Sequence, residues 1–278
     1  AAGLVGLAVS PAPAWAGPAR VAALQVALRA KGSYAGAVDG IAGPGTVAAV
    51  RRFQAARGLG VDGIAGPHTQ RALGRRGRPA LGSRAIVAPE RGWDVAELQF
   101  LLETHGFPLG PVDGILGPRG TAALERFQAW AGLAPDGVAG PATLARLRGP
   151  PPRSMLAFAP PIHAPRGDGF GPRGDGFHPG LDFPAPSGTR VRAARSGCVA
   201  FAGWSSGGYG NLVVLRHVAG MTSWYAHLSA IAVRPGACVA AGALLGRVGS
   251  SGLATGPHLH FELRLRGAAV DPLPALRP

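Results

Sequence analysis

Residues 20–148 contain one sequence written twice, and no other feature constrains the fold as much. Leu24-Gln25 returns as Leu98-Gln99, Val38-Asp39-Gly40-Ile41 as Val112-Asp113-Gly114-Ile115, and Gly43-Pro44 as Gly117-Pro118. Phe53-Gln54 returns as Phe127-Gln128 and Asp62-Gly63 as Asp136-Gly137, always at the same offset. Such self-similarity marks repeated structural units. A shorter echo lies inside each copy: Asp39-Gly40-x-x-Gly43-Pro44-x-Thr46 recurs as Asp62-Gly63-x-x-Gly66-Pro67-x-Thr69. Asp-Gly favours a turn, and Gly-Pro-x-Thr suits a turn that feeds a helix start. Val21, Leu24, Ala27 and Leu28 have helical spacing, as do Val47, Val50 and Phe53. Each copy is therefore expected to be a small all-α unit of three short helices.

Both copies resemble the peptidoglycan-binding module of many wall hydrolases, over residues 20–74 and 94–148. The resemblance implies that they bind peptidoglycan. The second copy departs once, with Gly120 where the first has Thr46 and Thr121 one place late. An altered helix start is expected there.

Residues 75–92 read as a linker between the copies. Residues 149–164, with Pro150-Pro151-Pro152 and Pro160-Pro161, read as a semi-stiff spacer. Beyond them the periodicity changes to two. Val191, Val199 and Phe201, then 212–215, 222–225 and Val239, read as short strands between Gly-rich turns. The fold class expected for the chain is multidomain: two small three-helix all-α modules, then a mainly antiparallel β domain over 165–278.

This β domain holds the chemistry. His178-Pro179-Gly180-Leu181-Asp182 places a histidine and a carboxylate four apart, a spacing that shares one face of extended backbone. His258-Leu259-His260 does the same at spacing two, with Leu259 on the opposite face. Two imidazoles and a carboxylate leave a fourth position open, the make-up of a catalytic zinc site. No H-E-x-x-H occurs, and carboxylates are few, so a histidine is the simpler general base. Glu262, two residues past His260, is placed to support that histidine.

Phe170-Gly171-Pro172-Arg173, His178 to Asp182, Gly208-Tyr209-Gly210-Asn211, Tyr225-Ala226-His227-Leu228 and Gly256 to Glu262 occur in that order. With them the domain resembles the lysostaphin-type, or LytM-like, zinc endopeptidases that cut peptidoglycan peptides. The resemblance implies one zinc ion per chain, held by His178, Asp182 and His260, with His227 and His258 as catalytic histidines. His258 is the expected base. His227 would orient the water or stabilise the oxyanion. Tyr209 and Asn211 are expected to touch substrate. The repeated Pro-Arg-Gly-Asp-Gly-Phe at 165–170 and 172–177 is read as a loop leading into His178, and His105 as solvated.

Composition narrows the partners. The formal charge is +14, without a basic run or a nucleic-acid module signature. Peptidoglycan and anionic wall polymers fit this charge better than nucleic acid. No apolar stretch is long enough for a transmembrane segment. The first sixteen residues are uncharged and end in Ala14-Trp15-Ala16, which reads as the remnant of a secretory signal. Cys198 and Cys238 are then expected to pair as a disulfide in an oxidising compartment. The whole describes a secreted, wall-associated, monomeric zinc endopeptidase. The rival is a catalytically silent or latent wall-binding scaffold that regulates another hydrolase.

Overall fold

A computed structural model describes residues 17–174 and 176–277. The expected signal remnant, residues 1–16, lies outside the described residues. The first copy forms α1 (Pro18–Arg29), α2 (Pro44–Ala56) and α3 (Pro67–Ala72). The second forms α4 (Trp93–Thr104), α5 (Pro118–Trp130) and α6 (Pro141–Leu147). Except for α4, each of these helices has glycine at the N-cap and proline at the first helical position. Proline there has a suitable φ and loses only an amide that the helix leaves unpaired anyway.

The short internal echo has a clear physical basis. The buried Gln25 amide donates to Asp39 Oδ1 (2.7 Å) and Thr46 Oγ1 (3.1 Å), and its Oε1 accepts from Gly40 N (3.0 Å). Gln54 brackets Asp62, Gly63 and Thr69 in the same way, and Gln128 brackets Asp136, Gly137 and Thr143. In each case a helix glutamine pins an Asp-Gly turn whose glycine has positive φ. Gln99 holds Asp113 and Gly114, but Gly120 offers it no hydroxyl. The expected change in helix start does not occur. α5 begins at Pro118 as α2 begins at Pro44, and both have 13 residues. What is lost is one hydrogen bond: Leu116 occupies the space, 2.8 Å from where a Cβ on residue 120 would stand, and Thr121 bonds to Gly117 O instead.

The copies are not beads on a string. Helices α1 and α4 pack together, so Trp93, Ala96 and Phe100 share a core with Val21, Leu24 and Leu28. The linker at 75–92 is pinned as well: Ile86 is fully buried and bridges to Ala139, and Arg84 pairs with Asp94. The proline-rich segment is not a free spacer. Phe158 and Ile162 enter the core of the β domain, and Phe158 N donates to Ala275 O. Apolar side chains within a proline-rich run explain this, because burying them outweighs extension into water. The second copy also docks onto the β domain. Trp130 Nε1 donates to Leu265 O (3.1 Å), and Ala269 N donates to Gly106 O (3.1 Å). His105, expected to be solvated, is buried between the carbonyls of Leu101 and Gly149.

Glu103, on α4, carries a buried carboxylate oxygen that has no partner. Burial raises its pKa to about 8, against a weaker opposing bond from Leu109. Between about pH 4.5 and 8 the folded state keeps a proton that the unfolded chain has lost, so stability falls as pH rises through that window. Glu103→Gln is expected to remove this slope. Melting curves from pH 5 to 9 should show the wild type losing on the order of 4 kcal/mol relative to the variant. Parallel curves would disprove the assignment.

The β domain is a nine-stranded antiparallel sheet with the spine β11-β10-β7-β6-β5-β8. Its members are β11 (Ala268–Val270), β10 (His258–Leu265), β7 (Met221–Ile231), β6 (Gly210–Arg216), β5 (Gly197–Ser205) and β8 (Cys238–Val239). Strand β3 (Leu181–Pro184) pairs with β10, and β9 (Leu244–Val248) joins β4 (Arg190–Arg192) to β7. The segment before His178 is not a plain loop. Strands β1 (Gly171–Arg173) and β2 (Gly176–His178) form a hairpin, with Phe170 edge-on to Phe177. Cys198 and Cys238 face each other across β5 and β8 and form a disulfide.

Candidate metal centre and catalytic groove

Strand register builds this site. In the β3–β10 ladder His260 lies directly opposite Asp182. His178 joins them from the end of β2, not from the same strand as Asp182. The i, i+4 spacing therefore works through a turn at Pro179-Gly180 and not through one extended face. Gly180 is required there: a Cβ would lie 2.5 Å from Phe261 O and 2.8 Å from His260 Cε1.

Three atoms converge. His178 Nε2 is 3.1 Å from Asp182 Oδ1 and 3.0 Å from His260 Nδ1, which is itself 2.8 Å from Asp182 Oδ1. The outward ring nitrogens are spoken for. His178 Nδ1 donates to Gly169 O (2.8 Å), and His260 Nε2 donates to Glu262 Oε1 (2.9 Å). Because carbonyls and carboxylates only accept, these bonds place the protons outward. Neutral imidazoles then turn two lone pairs toward Asp182, leaving no hydrogen among three acceptors.

Such a cluster draws positive charge. Burial disfavours the His260 cation, yet Asp182 and Glu262 outweigh it and raise the His260 pKa to about 9. Burial would likewise raise the Asp182 carboxyl, but the imidazoles of His178 and His260 hold it well below the usual carboxylate range. A divalent cation satisfies all three acceptors at once. Their separations approach the edge of about 3.3 Å that a tetrahedral site with bonds near 2.0–2.1 Å requires. Outward hydrogen bonds of this kind orient metal-ligating histidines. The residues present fit a zinc ion.

Two further imidazoles stand beside the cluster. His227 Nδ1 donates to Ser251 O (2.7 Å), and His258 Nδ1 donates to Gly256 O (2.9 Å). Each ring is thereby left with Nε2 as its free lone pair. The rings lie 4.7 Å apart, and His258 Nε2 is 3.8 Å from Asp182 Oδ1. His227 adopts φ +60° at an interruption of the β7 ladder, a conformation that costs energy in a residue with a side chain. Burial lowers its pKa against the opposing bond to Ser251 O, and the neighbouring His258 and His260 lower it further.

All five residues line a groove of about 840 Å³. Asp168, Arg173 and Phe177 line it, as do Leu253, Thr255 and Pro257. Every lining residue lies between Gly167 and His260, so none of the described residues of the helical copies or the proline-rich segment lines it. Tyr209 presents its ring to the groove while its hydroxyl donates to Glu262 Oε1 (2.8 Å). Asn211, expected to touch substrate, does not line the groove. Its amide donates to Leu228 O (2.9 Å), and its backbone is held by Ser251 Oγ, so it braces two strands. His217 is structural, bonded to Ser196 O and Ser223 Oγ. Sequence reasoning missed Arg173, whose Nη1 bonds Asp168 and reaches Asp182 Oδ2 at 3.5 Å, and Arg264 behind Glu262.

Residues 176–272 match the model described as "Peptidase family M23", and residues 18–73 and 91–147 match "Putative peptidoglycan binding domain". The DD-carboxypeptidase/endopeptidase Mpg of Neisseria meningitidis serogroup B is 48% identical over 99 residues, 36% of this chain and 23% of that protein. Lysostaphin of Staphylococcus staphylolyticus is 42% identical over 103 residues, 35% of this chain and 22% of that protein. The solved catalytic domain of lysostaphin from Staphylococcus simulans is 40% identical, with a TM-score of 0.39, covering 40% of this chain and 90% of that one. The chain thus spans about a quarter of the length of the curated relatives it matches. Among the described residues no helix is long and apolar enough to cross a membrane. The chain thus carries a peptidase M23 domain, with two domains of the matched peptidoglycan-binding type ahead of it.

Proposed function

We propose that the chain is a secreted zinc endopeptidase that hydrolyses amide bonds in the stem peptides or cross-bridges of peptidoglycan. The helical copies hold it on the wall polymer. The observation that carries this reading is the pairing of two units in one open groove: three inward-facing acceptors, and two histidines whose free Nε2 atoms stand beside them. When bound by His178, Asp182 and His260, zinc supplies Lewis acidity for the scissile carbonyl and lowers the pKa of the attacking water.

The chain's own groups do the rest. His258 Nε2 accepts the water proton and returns it to the leaving amine. With Nδ1 donating to Ser251 O, His227 offers an acceptor at Nε2, so it orients the water. Tyr209 packs its ring against the substrate. The helical copies raise the local concentration of groove on polymer, and the excess positive charge favours anionic wall polymers nearby. The open groove and the complete set of histidines give no support to a silent scaffold.

The direct test mixes the zinc-loaded protein with purified peptidoglycan and measures new free amino groups. Release that is lost on chelation and in His258→Ala is expected, and fragment masses name the bond. Tight wall binding with stoichiometric zinc but no amine release would overturn the reading.

A further inference from the structure

Glu262 is fully buried and accepts three side-chain hydrogen bonds, one of them from His260. Its Oε1 takes His260 Nε2 (2.9 Å) and the Tyr209 hydroxyl (2.8 Å), and its Oε2 takes Arg264 Nε (2.7 Å). Arg264 closes the ring, donating from Nη2 to the same Tyr209 oxygen (2.8 Å). The guanidinium lies 3.9 Å from the centroid of the Trp224 ring, which fixes its plane. Arg264 also lines the cleft where the second helical copy meets the β domain.

We propose that Arg264, acting through Glu262, is a positioning residue for the metal centre: it holds the Glu262 carboxylate aimed at His260 Nε2, and so fixes the plane of the His260 ring with Nδ1 turned toward Asp182 and the metal. This rests on the zinc reading above and extends it to a residue that touches neither metal nor substrate. Both oxygens of Glu262 are tied, Oε1 to His260 Nε2 and the Tyr209 hydroxyl, Oε2 to Arg264 Nε. Without Arg264 the Oε2 side of this buried group loses its partner, and nothing on that side keeps the carboxylate from rotating away from His260. The His260 ring then loses the acceptor that fixes its plane and directs Nδ1 toward Asp182. Tyr209 supports the same arrangement, because Arg264 already donates to its oxygen and its own proton is directed to Glu262.

The test is zinc affinity, read by competition with a chromophoric chelator on the full chain and independent of peptidoglycan. Glu262→Gln and Arg264→Met are each expected to weaken zinc about 10–100-fold, the usual range for such supporting partners. The double variant is expected to lose about as much as either single one, because both break one chain of bonds. Arg264→Lys, which restores the charge without the fork, should recover part of the loss. Val270→Ala, a buried change on the neighbouring strand β11, controls for lost stability and should leave the zinc Kd unchanged. Zinc Kd values within twofold of wild type in both single variants would overturn the proposal. So would losses that multiply in the double variant, or a loss in Val270→Ala of the same size. Failure of the wild type itself to bind zinc would instead overturn the reading on which the proposal rests.

Discussion

Asp182→Ala is expected to abolish tight zinc binding and to lower peptidoglycan cleavage by at least about 10³-fold, the scale of losing the Lewis acid altogether. Asp182 Oδ1 is the shared vertex of the site. It lies 2.8 Å from His260 Nδ1, 3.1 Å from His178 Nε2 and 3.8 Å from His258 Nε2. Without it two imidazoles remain as ligands, and neither carries a negative charge to offset a dication. The Arg173 guanidinium, 3.5 Å from Asp182 Oδ2, then also opposes the metal. Asp182→Asn separates charge from shape. It keeps an oxygen at the vertex and the same volume, and should fall between wild type and alanine in zinc affinity. The fold should survive, because the β3 backbone stays in register with β10 whatever side chain residue 182 carries. Chelator competition and amine release on the same preparations check this. An alanine variant that binds zinc within tenfold of wild type and still cleaves would remove Asp182 from the metal set.

Much of this site is legible in the sequence, and the limits of that legibility have physical causes. His258-x-His260 is a local pattern, and strand alternation alone puts both rings on one face. That Asp182 faces His260 depends on the β3–β10 register, which no short motif encodes. The carbonyls of Gly169, Ser251 and Gly256, which set three of the four tautomers, are backbone groups, and any residue could have supplied them. Arg264 could have been suspected, since a buried Glu262 demands a cation and residue 264 is the next on the same face. Asn211 misleads because a polar residue in a Gly-rich turn serves a strand crossing as readily as a substrate. In the helical copies the Gln, Asp-Gly and Thr positions were visible as repeats, but the reason for them appears only when the glutamine is seen bracketing the turn. The proline-rich segment reads as a spacer by composition. Two apolar residues, Phe158 and Ile162, decide otherwise.

Removing His258 should separate chemistry from metal binding. Neither His258 nor His227 belongs to the converging triad, so alanine at either position is expected to leave zinc affinity within a few-fold of wild type. His258→Ala should lower kcat by about 10²–10⁴-fold, the usual contribution of a positioned general base, with little change in KM. The reason is specific to this ring. Its Nδ1 is tied to Gly256 O, so Nε2 can only accept, and that atom stands 3.8 Å from the metal-facing carboxylate oxygen. His227→Ala should cost less, about 10–10²-fold, because orienting a water without moving its proton leaves the base intact. Its variant should not gain stability, since alanine holds φ +60° no more easily than histidine and the bond to Ser251 O is lost. Measuring kcat, KM, zinc content and melting temperature on both variants tests the assignment. A His258→Ala enzyme with near-normal kcat, or a His227→Ala enzyme that is the slower of the two, would reverse the roles of the two histidines.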